Sequence, residues 1–421
     1  ISELTDTVAD TTILPQQVDA DALVYMMYTS GTTGKPKGVM IGYDALFDYV
    51  ETFQDYFQIN EHDKVIQQAS LAFDTAIEEI FPVLLSGGQL IVMENGGADI
   101  EALLETIHRD QATVLSTTPL VIHEINQSTE KQSSLRLLIS GGDRIRKGDV
   151  DQLPEYIELF NTYGPTESTV CATYQKITSH EDLHKIGSPI RNRRVYILNG
   201  ELTLCGCYQP GQIAIAGNGL AWGYLNNEAA TAQQFIDWEL DGKRERLYLT
   251  GDQGYWNSKG EIIFIGRDDD QIKINGYRVE IAEVAQALIA HPAVEDAVCR
   301  VISETDGSGS QLWAYCIPTQ QVETGELTSF VSSRLPAYMV PAKIMMVPEW
   351  PRTSTGKIDY KALPAEAVQD VNQPDRALTS TEQSVLTLWH EVFGSDLIEG
   401  IHSDFFALGG NSISGTRLVS K

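Results

Sequence analysis

Through the first third of the chain, short apolar runs alternate with longer stretches of helical periodicity. Residues 23–28, 90–93, 113–116, 137–139 and 157–160 read as strands, and 45–57, 100–108 and 118–125 as helices. That alternation predicts an α/β domain around a largely parallel sheet. From about 192 to 264 the texture changes. Strand-like runs at 194–198, 211–216 and 260–265 are separated by Gly, Asn and Pro, which predicts a β-rich subdomain attached to the sheet. After the charged run Arg267-Asp268-Asp269-Asp270 the pattern restarts, with helices over 281–290 and 326–334 and strands near 294–302 and 311–317. A small α+β domain hinged on a charged linker is expected there. Residues 364–377, rich in Pro, Ala, Gln and Asp, read as a second linker. Beyond it Thr379 and Glu382 have capping-box spacing, and Val385, Leu388, Trp389, Val392 and Phe393 form one helical stripe. The expected units are 1–268, 269–363, a linker at 364–377, and a third unit over 378–421; the polar, acidic residues 1–17 read as an entering loop.

Charge narrows the partners. With 30 basic and 58 acidic side chains the formal net charge is −28, which repels phosphate backbones and anionic lipid, so neither nucleic acid nor membrane is expected as a partner. Any phosphate must be gripped locally. At 42% hydrophobic and 21% charged residues the composition excludes collagen-like, mostly disordered and disulfide-scaffold classes. No apolar run reaches the ~18–20 residues that span a bilayer, and the first residues lack signal-peptide shape, so a cytoplasmic protein is expected. Cysteines 171, 205, 207, 299 and 316 lack the C-x₂-C spacing of zinc or redox pairs and read as buried or free thiols.

The most distinctive stretch is Thr29-Ser30-Gly31-Thr32-Thr33-Gly34-Lys35-Pro36-Lys37-Gly38, directly after the apolar run at 23–28. Small residues let backbone N–H groups crowd a phosphate, hydroxyls add donors and lysines add charge. A nucleotide-binding P-loop needs four residues between its glycine and the Gly-Lys pair, followed by Ser or Thr; here two residues separate Gly31 from Gly34, and Pro36 follows Lys35. The P-loop reading fails, and a Gly/Thr hairpin remains the plain alternative.

Further motifs follow in order: Asn161-Thr162-Tyr163-Gly164-Pro165-Thr166-Glu167-Ser168, Tyr248-Leu249-Thr250-Gly251-Asp252, Gly266-Arg267-Asp268-Asp269, Lys273-Ile274-Asn275-Gly276-Tyr277-Arg278, and Thr353-Ser354-Thr355-Gly356-Lys357-Ile358-Asp359. With the glycine-rich loop they resemble the adenylate-forming enzymes, and within them the adenylation domains of non-ribosomal peptide synthetases. The resemblance implies that a carboxylate attacks the α-phosphorus of ATP, pyrophosphate leaves, and the acyl-adenylate is passed to a thiol. Lys357 would bridge carboxylate and α-phosphate; a unit charge at ~4 Å and an effective dielectric near 20 gives about 4 kcal/mol before desolvation, about three decades of rate. Glu167 would hold Mg²⁺, Asp252 the ribose hydroxyls, and Arg267 the ribose and phosphate. Tyr163 would stack on adenine beside Gly141 and Gly142, and Asn161, Gly164 and Thr166 complete the nucleotide set. Asp269 would be the hinge about which the small domain exchanges Lys357 for the face carrying Lys273 and Gly276.

Asp74 matches the aspartate that pairs the substrate α-ammonium in amino-acid-activating members. The remaining pocket positions are Thr75, Glu78, Ser116, Ile139, Gly141, Thr162, Val170, Cys171 and Lys357. A buried carboxylate at Glu78 is costly unless paired, and a cationic substrate side chain would pair it. The set resembles lysine-activating pockets, with ornithine and arginine next and a neutral polar residue such as glutamine as rival; Glu79 competes with Glu78 for the position, and either could be a solvated helix residue.

Asp404-Phe405-Phe406-Ala407-Leu408-Gly409-Gly410-Asn411-Ser412 resembles the attachment site of a peptidyl carrier protein. Ser412 would carry 4′-phosphopantetheine, installed by a phosphopantetheinyl transferase, and neighbouring synthetase domains would be partners. Family members have a long segment ahead of the glycine-rich loop and further carrier helices, so part of both folds is expected outside these residues. A coenzyme A ligase and a non-catalytic docking fragment are the competing readings.

Overall fold

The computed structural model describes residues 19, 22–29, 36–94, 96–128, 134–267, 271–274, 277–303, 310–352, 358, 360, 362–364, 379–393 and 418. Ser30, Gly31, Thr32, Thr33, Gly34, Lys35, Asp269, Gly276, Lys357, Ser412 and most of the linker at 364–377 lie outside the described residues.

The chain opens with β1 (Leu23–Thr29), β2 (Lys37–Gly42), α1 (Tyr43–Phe57), β3 (Lys64–Gln67), α2 (Thr75–Leu85), β4 (Gln89–Val92), α3 (Ile100–Asp110), β5 (Val114–Thr117), α4 (Pro119–Gln127), β6 (Leu137–Ser140) and β7 (Glu158–Tyr163). Strands β4-β3-β5-β6-β7 lie parallel in that order, as the alternation predicts. The strand at 23–28 departs from expectation. β1 pairs antiparallel with β2, Thr29 opposite Lys37, in a separate three-stranded sheet. The seven positions between them are too few for the crossover that a parallel neighbour requires.

The large sheet continues past β7 with reversed polarity. It runs through β8 (Thr173–Ile177), β9 (Lys185–Pro189), β10 (Arg193–Leu198) and β11 (Gly211–Gly217); β12 (Gly223–Tyr224) joins β2, and α5 (Glu228–Gln234) precedes β13 (Phe235–Leu240), β14 (Lys243–Trp256) and β15 (Ile262–Arg267). The path β7-β8-β9-β15-β14-β11-β10 is antiparallel, so the α/β half and the β-rich half share one sheet. Helix α1 buries Leu46, Tyr49, Val50, Phe53 and Phe57, the i, i+3, i+4, i+7 stripe of a helix lying on a core.

The smaller unit contains β16 (Gln271–Ile274), β17 (Tyr277–Glu280), α6 (Ile281–Ile289), β18 (Val294–Ser303), β19 (Ser310–Pro318), α7 (Thr324–Ser332) and β20 (Lys343–Met346). Its core joins Val284 and Leu288 of α6, Leu327 and Val331 of α7, and Cys299, Leu312, Ala314 and Cys316 of the sheet. Helix α8 (Ser380–Phe393) begins as the spacing predicts: the Glu382 carboxylate accepts from Thr379 N at 2.8 Å, and Thr379 Oγ1 accepts from Glu382 N at 3.2 Å. All five cysteines are free thiols, with 171, 299 and 316 buried.

Candidate active site

Open α/β sheets bind ligands beyond the carboxyl ends of their parallel strands. Those ends here carry Ser116 on β5, Ile139 on β6 with Gly141 and Gly142 following, and Asn161, Thr162 and Tyr163 on β7. Helix α2 packs against β3, β4 and β5 and meets Ser116 at the end of β5. Asp74 and Glu78 are one turn apart on α2 and so share a face, Asp74 half-buried at the N-cap and Glu78 buried.

Glu78 is fastened from two other elements. The Tyr49 hydroxyl on α1 donates to Glu78 Oε2 at 2.6 Å, and the Ser116 hydroxyl on β5 donates to Oε1. Burial, opposed by these two bonds and reinforced by Asp74, pushes the Glu78 carboxyl up to about 7. Glu79 faces another way. Its carboxylate takes the backbone N–H groups of Gln68 and Ala69 at 3.2 and 3.1 Å, and burial pushes it up to about 8. Neither glutamate is a solvated helix residue, and the one beside Ser116 is Glu78.

Ile139, Val170, Cys171, Tyr174 and Tyr49 form one cluster beside Glu78. A strained turn delivers Val170 and Cys171 to it: Thr169 and Val170 both occupy the left-handed region, at φ 58° and 65°, which β-branched residues rarely adopt. The turn is held by Thr169 Oγ1 donating to Gly219 O at 2.8 Å and by Ala172 N donating to Tyr163 O at 2.8 Å. Its close approach also requires Gly164, where an added Cβ would lie 2.5 Å from Cys171 Cα. Thr162 donates to Ser140 O at 3.2 Å, and burial beside Glu78 pushes the Cys171 thiol up, so it packs as a neutral group.

Asp252 and Arg267 are opposed across β14 and β15, and Arg267 Nη1 donates to Asp252 Oδ1 at 2.7 Å. The Tyr163 hydroxyl donates to Asp252 Oδ2 at 2.5 Å; burial and the carboxylate push that phenol up and keep it a donor. Each carboxylate oxygen retains a second lone pair, so these bonds leave Asp252 able to accept ribose hydroxyls. Asn161 Nδ2 donates to Lys185 O at 2.8 Å, fixing the carboxyl end of β7 against β9. Glu167 is fully buried, and Tyr224 donates to its Oε1 at 2.8 Å. Among the described residues no group of three His, Cys, Asp or Glu side chains is arranged to hold a metal ion. A single hard carboxylate with nucleotide oxygens and water is a donor set that fits Mg²⁺. Thr29 ends β1 with its hydroxyl buried and without a hydrogen-bond partner among the described residues, beside the glycine-rich loop. Lys273 lies on β16 opposite Arg278.

Tyr49, Tyr174 and Tyr224 were not legible as site residues. Tyr49 sits in the apolar stripe of α1, where periodicity reports burial and says nothing of where a hydroxyl ends. Arg193 was also missed. Its guanidinium is fully buried, pairs with Asp48 on α1, and lies where any side chain at Gly219 would stand.

Among the described residues no helix is long and apolar enough to cross a membrane. Residues 2–225 match the family model for AMP-binding enzymes, 283–357 that for the AMP-binding enzyme C-terminal domain, and 383–421 that for the phosphopantetheine attachment site. The chain is 34% identical to Tyrocidine synthase 1 of Brevibacillus parabrevis over 98% of its own length and 38% of that protein's. It is 34% identical to Bacitracin synthase 2 of Bacillus licheniformis over 97% of its length and 16% of that protein's. It thus spans well under half of these relatives. The solved structure of holo-PA1221, an NRPS protein containing adenylation and PCP domains, superposes with a TM-score of 0.80 at 27% identity, over 98% of this chain and 71% of that one. The Vibrio cholerae adenylation domain AlmE in complex with glycyl-adenosine-5′-phosphate superposes at 0.72 and 27% identity, over 81% of this chain and 66% of that one. The chain therefore belongs to the AMP-binding enzymes, with the family's C-terminal domain and a phosphopantetheine attachment domain following the core.

Proposed function

We propose that the chain activates an amino acid with ATP as the aminoacyl-adenylate and transfers it to its own carrier domain in non-ribosomal peptide synthesis, with a basic amino acid, lysine first and ornithine or arginine next, as substrate. The observation that carries this reading is the pair Asp74 and Glu78 on one face of α2: one carboxylate for the α-ammonium, the other buried beside Ser116 with no cation of its own among the hydrogen-bond partners described. An α-amino acid with a second ammonium satisfies both.

In this reading the loop from Thr29 to Lys35 cradles phosphates, and Lys357 meets the α-phosphoryl group where negative charge gathers. Asp252, Arg267 and Tyr163 bind the nucleoside end with Gly141, Gly142, Asn161, Gly164 and Thr166 around it. Glu167 would hold Mg²⁺, which when bound neutralises phosphate charge. Rotation about Asp269 withdraws Lys357 and presents Lys273. Ser412 would hold the 4′-phosphopantetheine arm, whose thiol is the acyl acceptor. The units assigned are 1–268, 269–363 and 378–421, joined at 364–377, in a cytoplasmic enzyme served by a phosphopantetheinyl transferase and by neighbouring synthetase modules.

A second reading has one observation in its favour. A carboxyl held near 7 is partly protonated at neutral pH and can pair a neutral amide, which suits glutamine. Amino-acid-dependent exchange of labelled pyrophosphate into ATP, run across all amino acids, separates the two. Lysine is expected to give the highest kcat/KM, and Glu78→Gln to lower it for lysine by a factor on the order of 10²–10³ and much less for glutamine. Equal losses would remove Glu78 as the side-chain reader, and no exchange with any amino acid would remove the function.

A further inference from the structure

The pocket positions that the family resemblance supplies include Ser116 but omit Tyr49, the other residue that grips Glu78 from outside its own helix. Tyr49 is fully buried on α1, and its hydroxyl lies 2.6 Å from Glu78 Oε2. We propose that Tyr49 is a specificity-determining residue: by donating to Glu78 it favours the ionised form of that carboxyl and aims it, and so selects a cationic substrate side chain over its uncharged isostere. The inference rests on the basic-substrate reading and names a further residue on which that reading depends.

The groups facing Glu78 come from every element packed round it. Asp74 and Glu79 lie on α2, Tyr49 on α1 and Ser116 on β5. Cys171 and Tyr174 approach from the strained turn and β8, with Arg193 of β10 beyond Tyr174. Cys171 and Tyr174 are held neutral by burial, and Asp74 and Glu79 repel a charge on Glu78. Two hydroxyls, Tyr49 and Ser116, are the groups that favour the ionised form. An ionised carboxylate accepts from both at once. A protonated one carries its own hydrogen, which then needs another acceptor. Burial with two donors leaves the carboxyl balanced near neutrality, so the loss of one donor decides its charge. Burial pushes the Tyr49 phenol well above the ordinary tyrosine range, so it stays protonated and keeps a hydrogen to donate to Glu78. The Tyr174 hydroxyl lies against Tyr49 rather than Glu78 and does not replace it there.

The test is pyrophosphate exchange from pH 6 to 9 with lysine and with norleucine, which has the same carbon chain and no terminal ammonium, on the full chain and its Tyr49→Phe variant. The variant is expected to raise KM for lysine about tenfold at pH 7 with kcat nearly unchanged, to move the acidic limb of kcat/KM to higher pH, and to leave norleucine unaffected or improved. Ser116→Ala, which removes the other donor from a different element, is expected to move the same limb the same way. A far-ultraviolet circular dichroism spectrum and urea midpoint matching the parent chain report that each variant is folded. Equal changes for both substrates, or a limb that stays in place in both variants, would overturn the role of Tyr49. A parent chain that prefers norleucine would overturn the basic-substrate reading and this inference with it.

Discussion

Glu78 and Glu79 are adjacent in the chain and have separate tasks. Glu78 faces the hydroxyls of Tyr49 and Ser116, whereas Glu79 ties down the backbone that leaves β3. Both carboxyls are raised from 4.5, to about 7 and about 8. The folded state therefore binds more protons than the unfolded chain between pH ~4.5 and ~8, and stability falls as pH rises through that window. Urea midpoints measured from pH 5 to 8 should decline, and Glu79→Gln, which cannot ionise, should flatten the decline; an unchanged slope in the variant would show that Glu79 titrates normally. The pair Asp74 and Glu78 was legible through the family resemblance, which supplies both as pocket positions. Tyr49 was not, because its ring satisfies the core pattern whatever its hydroxyl does. Glu79 was legible only as a rival, since its acceptor role depends on a turn formed eleven residues earlier.

Helix α1 is the element on which the pocket leans. Its Tyr49 points to Glu78, and Asp48 beside it takes Arg193 of β10 and Asn192 Nδ2, the latter at 2.5 Å. The Arg193 side chain is fully out of solvent, so removing its partner leaves an uncompensated buried charge. Asp48→Ala is expected to cost ~3–5 kcal/mol, read as a lower urea midpoint with the denaturant slope unchanged; a loss under ~1 kcal/mol would show that water reaches the guanidinium. At this scale the elements read from apolar periodicity end within two or three residues of the observed ones, while β3, α2, β8, β9, β13 and β14 among others were not read. For β14 the reason lies in its composition. Its fourteen residues begin Lys-Arg-Glu-Arg and contain Gly-Asp-Gln-Gly, a composition that reads as loop, and it becomes a strand because β11, β13 and β15 supply partners to its backbone. The sequence placement of β1 in the parallel sheet fails for a related reason. Strand propensity was correct, but pairing was decided by the length of the connection to β2.

Across the whole molecule, one sheet changes polarity between β7 and β8, and the candidate residues collect on both sides of that seam: Ser116, Ile139 and Thr162 at the ends of parallel strands, Asp252 and Arg267 on antiparallel ones. Asparagine and tyrosine at the end of β7 bridge the halves through Lys185 O and Asp252. A net charge of −28 is compatible with an anionic nucleotide only if cations and N–H donors are concentrated at the site, which is the role assigned to the glycine-rich loop, Arg267 and the lysines of the smaller unit. The ordered motifs made that assignment legible from sequence. The hydroxyl contacts that set the pocket's charge depend on elements distant in the chain and needed the fold.

Intact-mass analysis of the phosphopantetheinylated chain, incubated with ATP, Mg²⁺ and an equimolar mixture of amino acids, puts the central claim to the most direct test. One lysyl group on the carrier, absent when Ser412 is replaced by alanine, is the predicted result. A carrier that stays unloaded, or loads neutral amino acids as readily as lysine, would contradict it.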